Sequence, residues 1–230
     1  MAGFGGILYT VSIWALPVLI AVTFHEAAHG WMAWRLGDDT AYRLGRVTFN
    51  PIKHIDPFGT FLLPVMLLLA SGGKMMFGFA RPVPVNFRAL RSPRRDMVLV
   101  ALAGPVTNLI LAVFAAAMFH TTPFVTGTFQ KWFALNLEAA VWINVLLCIF
   151  NMLPIPPLDG GRVAVGLLPR VLAAPLARLE RAGFVIILGA VFVVPWIGDA
   201  LGQDWNVFWW LIGTPASAVE FVIYNLVGVI

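Results

Sequence analysis

Cysteine is almost missing from this chain. Cys148 is the only one in 230 residues, and it sits in an apolar run. That excludes an intramolecular disulfide and every zinc cluster built from cysteines. Charge is scarce too: 11% of residues are charged against 60% hydrophobic, and the mean hydropathy is +0.87. A soluble domain with a polar surface does not reach such values, so the bilayer is the expected solvent. There are four histidines, too few for a di-iron membrane oxygenase. The first apolar stretch has no basic leader and no small-residue cleavage site, so it is expected to stay in the mature protein. The pI is near 9.7, but the basic residues flank apolar spans and form no basic domain. They suit positioning in a membrane, and nucleic acid is not an expected partner.

What is plentiful is apolar sequence. A spanning helix needs about 20 mostly apolar residues, and five stretches qualify: Phe4 to Leu36, Met97 to Phe119, Phe133 to Leu153, Phe184 to Leu201 and Val207 to Ile230. The first would be roughly 50 Å long as a straight helix, so it must tilt, bend near Pro17 or project from the membrane. Ten of the 15 Lys and Arg lie between Arg35 and Arg95, and four between Arg162 and Arg181. The positive-inside rule makes both segments cytoplasmic and the N-terminus external. The 13 residues Phe58 to Ala70 are too few to span and are read as re-entrant. The next segment, Phe77 to Asn86, mixes Gly, Pro and alternating Val, which suits an extended edge or hairpin able to pair with a peptide. The expected fold is an all-α polytopic membrane protein of about five to six transmembrane helices, with a short re-entrant segment and a small membrane-associated β-hairpin. A single domain should cover residues 1–230, with a core at 4–172 and additional helices at 182–230.

The first span carries His25-Glu26-Ala27-Ala28-His29. Spacing of i and i+4 puts both imidazoles on one helical face, a pair suited to Zn²⁺, and places Glu26 to take a proton from water. Ionisable groups within a span are expensive and usually functional. A third ligand is required, and His54, His120, Asp159 and the remaining carboxylates are candidates. Charge topology favours Asp159, which closes the third complete span on the same face as His25 and His29. As the residue before an apolar helical run, Asp159 could also be an N-cap. Glu138 and His120 fall near the opposite face, Glu220 lies in the last span, and His54 occupies a polar turn on the cytoplasmic side.

These motifs resemble the site-2 protease family of intramembrane zinc metalloproteases. The likeness rests on His25-Glu26-x-x-His29, the Asn50-Pro51 loop, Ala103-Gly104-Pro105-Val106-Thr107-Asn108, and Asn151-x-x-Pro154-x-Pro156-x-Leu158-Asp159-Gly160. It implies one zinc per chain on His25, His29 and Asp159, with Glu26 as general base. It further implies that Asn151 holds substrate backbone or the oxyanion, that Asn108 helps to order the site, and that Gly78, Pro82 and Pro84 belong to a strand receiving the substrate. His54 is an accessory candidate at the water entrance. The implied substrate is a single-span membrane protein, cut near the cytoplasmic face of the cell membrane, usually after an upstream protease has shortened it. No insert large enough for a PDZ domain separates the motif-bearing spans and no cystathionine-β-synthase-type domain follows, as in the minimal prokaryotic subgroup. The alternatives are an integral metalloprotease with a glutamate as third ligand, a non-catalytic membrane scaffold, or a metal transporter. A transporter should show an inverted repeat, and none is found; a scaffold has no need of Glu26.

Overall fold

The computed structural model describes residues 4–63, 65–66, 78 and 80–230. Among these the chain is helical and has no strand. Helix α1 runs Phe4–Arg35, passing through Pro17 without a break in assignment, and a short helix α2, Thr40–Arg43, follows it. After a 3₁₀ turn at Pro51–His54 and a π-helical turn at Pro57–Leu62 come α3, Pro93–Ala117, and α4, Gly127–Asn151. Two short helices follow, α5 (Asp159–Leu167) and α6 (Arg170–Arg178), then α7 (Glu180–Ala200) and α8 (Thr214–Leu226).

Helices α1, α3 and α4 pack on one another, and α5 lies against α3. The buried faces are made of small side chains: Ala21, Ala27 and Ala33 on α1, Ala101, Gly104, Ala112 and Ala116 on α3, Ala139 and Val141 on α4. In lipid no hydrophobic force drives helices together, so close approach of small residues is what provides contact. Large side chains such as Leu8, Leu19, Ile110 and Phe114 are exposed, as lipid-facing residues should be. Pro93 at the first position of α3 follows the N-cap Ser92, and Asp96 accepts from the Ser92 N–H at 2.7 Å, fixing where the chain re-enters the bundle.

Among the described residues, four helices are long and apolar enough to cross a membrane: Leu8–Arg35, Pro93–Phe124, Gly127–Asn151 and Glu180–Ala200. This is the pattern of a multi-pass membrane protein. The expected count of five to six is not supported among the described residues, since the last stretch, where a π-helical turn at Trp209–Gly213 runs into α8, is not among the four. Of the stretch expected to re-enter, only residues 58–63 and 65–66 are described, and they are helical. The expected β-hairpin is also corrected. Residues 80–86 are neither helix nor strand, Pro82 and Pro84 biasing the residues before them towards extended backbone, and positions 77 and 79 of that segment lie outside the described residues. Pro82 and Pro84 have no N–H for a ladder, and other groups take up the backbone. The Arg81 N–H donates to the His54 carbonyl at 2.9 Å, the Arg81 carbonyl accepts from Arg46 Nη2 at 2.7 Å, and the Asn86 N–H donates to Asp38 Oδ2 at 2.6 Å.

Candidate metal centre

Helix geometry stacks His25 and His29 one turn apart on the buried face of α1, where both are at least nine-tenths buried. Each ring is fixed at Nδ1. His25 Nδ1 lies 2.6 Å from Asn108 Oδ1 on α3, and His29 Nδ1 lies 2.7 Å from the Val100 carbonyl. Asn108 has its amide nitrogen committed to the Ala21 carbonyl (3.2 Å) and to Asn144 Oδ1 on α4 (2.8 Å), so its oxygen is the atom turned to His25. Both partners of the rings are acceptors, so each Nδ1 carries the proton and each Nε2 keeps a free lone pair.

Those lone pairs converge. The two Nε2 atoms are 3.0 Å apart, and Asp159 Oδ2 is 3.2 Å from each. Asp159 is the first residue of α5, the N-cap is Leu158, and no side-chain cap bond forms, so the carboxylate does not act as a helix cap here. Its Oδ2 is buried without a hydrogen-bond donor. Three electron-pair donors facing one another with no proton between them repel unless a cation sits among them. Ligands at zinc's ordinary bond lengths in a tetrahedron stand about 3.3 Å apart, which these spacings fit. His25, His29 and Asp159 thus form a group able to hold a metal ion.

Three glycines make this closeness sterically feasible. A Cβ on Gly104 would stand 2.5 Å from His25 Cε1 and from His29 Nε2. On Gly160 or Gly161 it would stand 2.2 Å from backbone of the loop between α4 and α5. Only glycine lets α3 back directly onto the imidazoles and lets α5 start against the loop that delivers Asp159.

Glu26 is held from the opposite side. Its Oε2 accepts from the Val83 N–H at 2.7 Å, and Gly30, one turn on, leaves room for the Val83 side chain, which would lie 3.0 Å from an added Cβ. Arg46 is buried near Glu26 and braces the same segment through its bond to the Arg81 carbonyl. Burial and then the charge of Arg81 lower the Arg46 pKa, while Glu26 offsets them.

Other expected residues are placed differently. Asn151 Nδ2 donates to the Leu147 carbonyl of its own helix at 3.0 Å. His54, expected in a solvated turn, is 2% exposed, and its Nε2 meets the Thr48 carbonyl at 2.9 Å. That is a loop-bracing role outside the metal group, since the Thr48 to His54 loop folds over its ring. His120 pairs with the Val227 carbonyl, Glu138 is exposed and Glu220 half-buried, and no glutamate joins the metal group among the described residues. Gly78 and Pro82 are exposed and Pro84 half-buried, with the two prolines flanking Val83. Sequence reasoning passed over Asn144, Asp38, Arg46 and the reason for Gly104. A buried asparagine in an apolar span was the available signal for Asn144.

Residues 13–136 and 126–195 match the family model described as Peptidase family M50. The chain is 42% identical over 191 residues to "Putative zinc metalloprotease YwhC" of Bacillus subtilis, covering 78% of this chain and 80% of that protein. It is 32% identical over 171 residues to "Putative zinc metalloprotease Rip2" of Mycolicibacterium smegmatis, covering 74% and 62%. With "Zinc metalloprotease RasP" of Bacillus licheniformis the identity is 27% over 70% of this chain and 32% of that protein. No solved structure matches.

Proposed function

This chain belongs to peptidase family M50, the site-2 protease family of membrane-embedded zinc metalloproteases, and from that premise we propose which residues do the work and on what. His25 Nε2, His29 Nε2 and Asp159 Oδ2 hold the zinc, one ion per chain. Glu26 is the general base. The observation that carries this reading is the triangle of three buried acceptor atoms, 3.0 to 3.2 Å on a side, with no proton to share.

Zinc, when bound, supplies Lewis acidity that lowers the pKa of water and polarises a scissile carbonyl. The chain's own groups do the rest. Glu26 is anchored through Oε2 by the Val83 N–H, which leaves Oε1 to accept a proton from the attacking water and return it to the departing amine nitrogen. Asn151 contributes an amide to substrate backbone or the oxyanion after its side chain leaves the Leu147 carbonyl. The segment holding Gly78, Pro82 and Pro84 receives the unwound substrate. A transmembrane helix hides its amide bonds in its own hydrogen bonds and must be extended before cleavage. The prolines restrict that segment to offering carbonyls at positions 82 and 84, so it accepts from substrate N–H groups there and donates none. The substrate is a single-span membrane protein, shortened by an upstream protease and cut near the cytoplasmic face, with the N-terminus of this chain external.

The test is zinc content of the detergent-purified protein together with cleavage of a single-span reporter. One zinc per chain, lost in His25→Ala and Asp159→Ala, with Glu26→Gln inactive but zinc-loaded, is the expected result. Full turnover by Glu26→Gln removes it as base, and stoichiometric zinc in Asp159→Ala moves the third ligand elsewhere.

A further inference from the structure

A cavity of roughly 470 Å³ shares a wall, Pro82 and Pro84, with the segment proposed to receive substrate; its charged lining is Arg46, Lys53 and Arg81, and Leu44, Ile52 and Ile55 are its other apolar walls. Among the described residues no carboxylate lines it. The nearby acids have other partners: Glu26, close to Arg46, accepts from the Val83 N–H, Asp38 accepts from Thr40 and Asn86, Asp39 pairs with Arg43, and Asp56 accepts from the Gly59 N–H. None of the three lining cations forms an ion pair among the described residues. Arg46 is 7% exposed, and its Nε is buried with no hydrogen-bond partner. That Nε is closed to a ligand, but the charge of Arg46 beside the exposed Lys53 and Arg81 makes the lining a receptor for an anion.

The surroundings say which anion. The cavity residues belong to the chain between the end of α1 at Arg35 and the start of α3 at Pro93, hence to the membrane face where two spans end. Lipid phosphates lie at that level. Leu44 and Ile52 are 61% and 73% exposed, which is costly towards water and comfortable against the glycerol and upper acyl region. Trp34, at the end of α1, stacks on Tyr42 with ring centroids 4.5 Å apart, a pairing suited to the interfacial aromatic belt. Cations and exposed aliphatics in one lining are complementary to an anionic amphiphile. We propose that this cavity binds the phosphate of an anionic membrane lipid, with its acyl chains against Leu44 and Ile52. The second cationic cavity, at Arg178 and Arg181, is the weaker candidate because Glu180 lines it too.

The experiment uses the full-length zinc-loaded protein in zwitterionic detergent, titrated with phosphatidylglycerol and with phosphatidylcholine, binding being read by native mass spectrometry. Phosphatidylglycerol is expected to bind at least about tenfold more tightly, since each surface cation contributes about fivefold to anionic-lipid attraction. A Lys53→Ala/Arg81→Ala protein should lose about thirtyfold by the same reckoning, whereas Arg178→Ala/Arg181→Ala should stay within about twofold of the parent, so that loss reports a site and not overall surface charge. Zinc content equal to the parent checks that both variants are folded. Equal binding of the two lipids by the unaltered protein overturns the proposal, as does equal loss in both variants. Displacement of the lipid by soluble glycerol phosphate or by an acidic peptide at the same concentration overturns it as well, and assigns the cavity to that ligand.

Discussion

His25 and Glu26 are neighbours on one helix, yet they are held by different kinds of structure. The imidazoles are backed by the bundle interior: Asn108 and the Val100 carbonyl on α3 take their Nδ1 protons, and Asn144 on α4 holds Asn108. Glu26 is held by a single N–H from an extended segment, itself tied down by Arg46, the His54 carbonyl and Asp38. A helix inside a membrane cannot give up backbone hydrogen bonds cheaply, so the metal face has one geometry. A segment anchored by side chains can yield as substrate enters. With the roles proposed above, metal geometry and the position of Glu26 should be separable, and substitutions should divide into those that cost zinc and those that cost turnover alone.

The largest effect is expected at Gly104. In Gly104→Ala the new methyl would need the space of His25 Cε1 and His29 Nε2, both 2.5 Å away, and neither ring can retreat without leaving its Nδ1 partner. Zinc affinity should fall by roughly a hundredfold or more, beyond the range found when a partner behind a ligand is lost, while the helical circular dichroism persists. A variant that keeps full zinc would show that the interior face is the pliable one, and the comparison would collapse. Asn108→Ala comes next. It removes the acceptor that sets the His25 tautomer, and zinc affinity measured by chelator competition should drop roughly 10–100-fold.

Much of the metal face was legible in the sequence because it is local: the i and i+4 spacing of His25 and His29 needs only a helix, and the distribution of charge brought Asp159 to the same membrane face. What supports those ligands was not legible, for physical reasons. The Val100 carbonyl that orients His29 is backbone and carries no residue signature. Gly104 acts through what it lacks, and the need for that gap exists only once α3 lies on α1. The base face was misread where its chemistry depends on pairing. Alternating Val and Pro over residues 82–85 suggests an edge, but the prolines cannot donate, and the partners turned out to be Glu26, Arg46 and Asp38. His54 looked like a solvated turn residue, since nothing in a sequence of polar neighbours reveals that the loop folds over the ring.

The opposite side of the comparison is sharpened at Asp38. This carboxylate is fully buried and accepts from the Asn86 N–H at 2.6 Å and from the Thr40 N–H at 3.0 Å. Asp38→Ala releases one end of the segment that presents Val83 to Glu26 without touching the metal group. Of the hydrogen bonds lost, the one that ties down this segment is the charge-assisted bond from the Asn86 N–H; at about 1.5 kcal/mol it corresponds to roughly tenfold, so reporter cleavage should slow by that factor at unchanged zinc content. If zinc falls along with turnover, the two faces are coupled and not separable.

The smallest effect is expected at Asn144, and it measures how far the rigidity of the metal face extends. Asn144 accepts from Asn108 Nδ2 at 2.8 Å, while the same nitrogen also reaches the Ala21 carbonyl at 3.2 Å. In Asn144→Ala one of the two restraints on Asn108 survives, so its oxygen stays on His25. A hydrogen bond between helices within a membrane contributes about 0.6 kcal/mol on average, a factor of about three, and that is the loss of zinc affinity expected by chelator competition. The double variant Asn108→Ala/Asn144→Ala should then bind zinc no worse than Asn108→Ala alone, because Asn144 acts only through Asn108. A further loss in the double variant would mean that α4 shapes the metal site by a second route, through its packing against α1, and the rigid face would have to be drawn one helix wider.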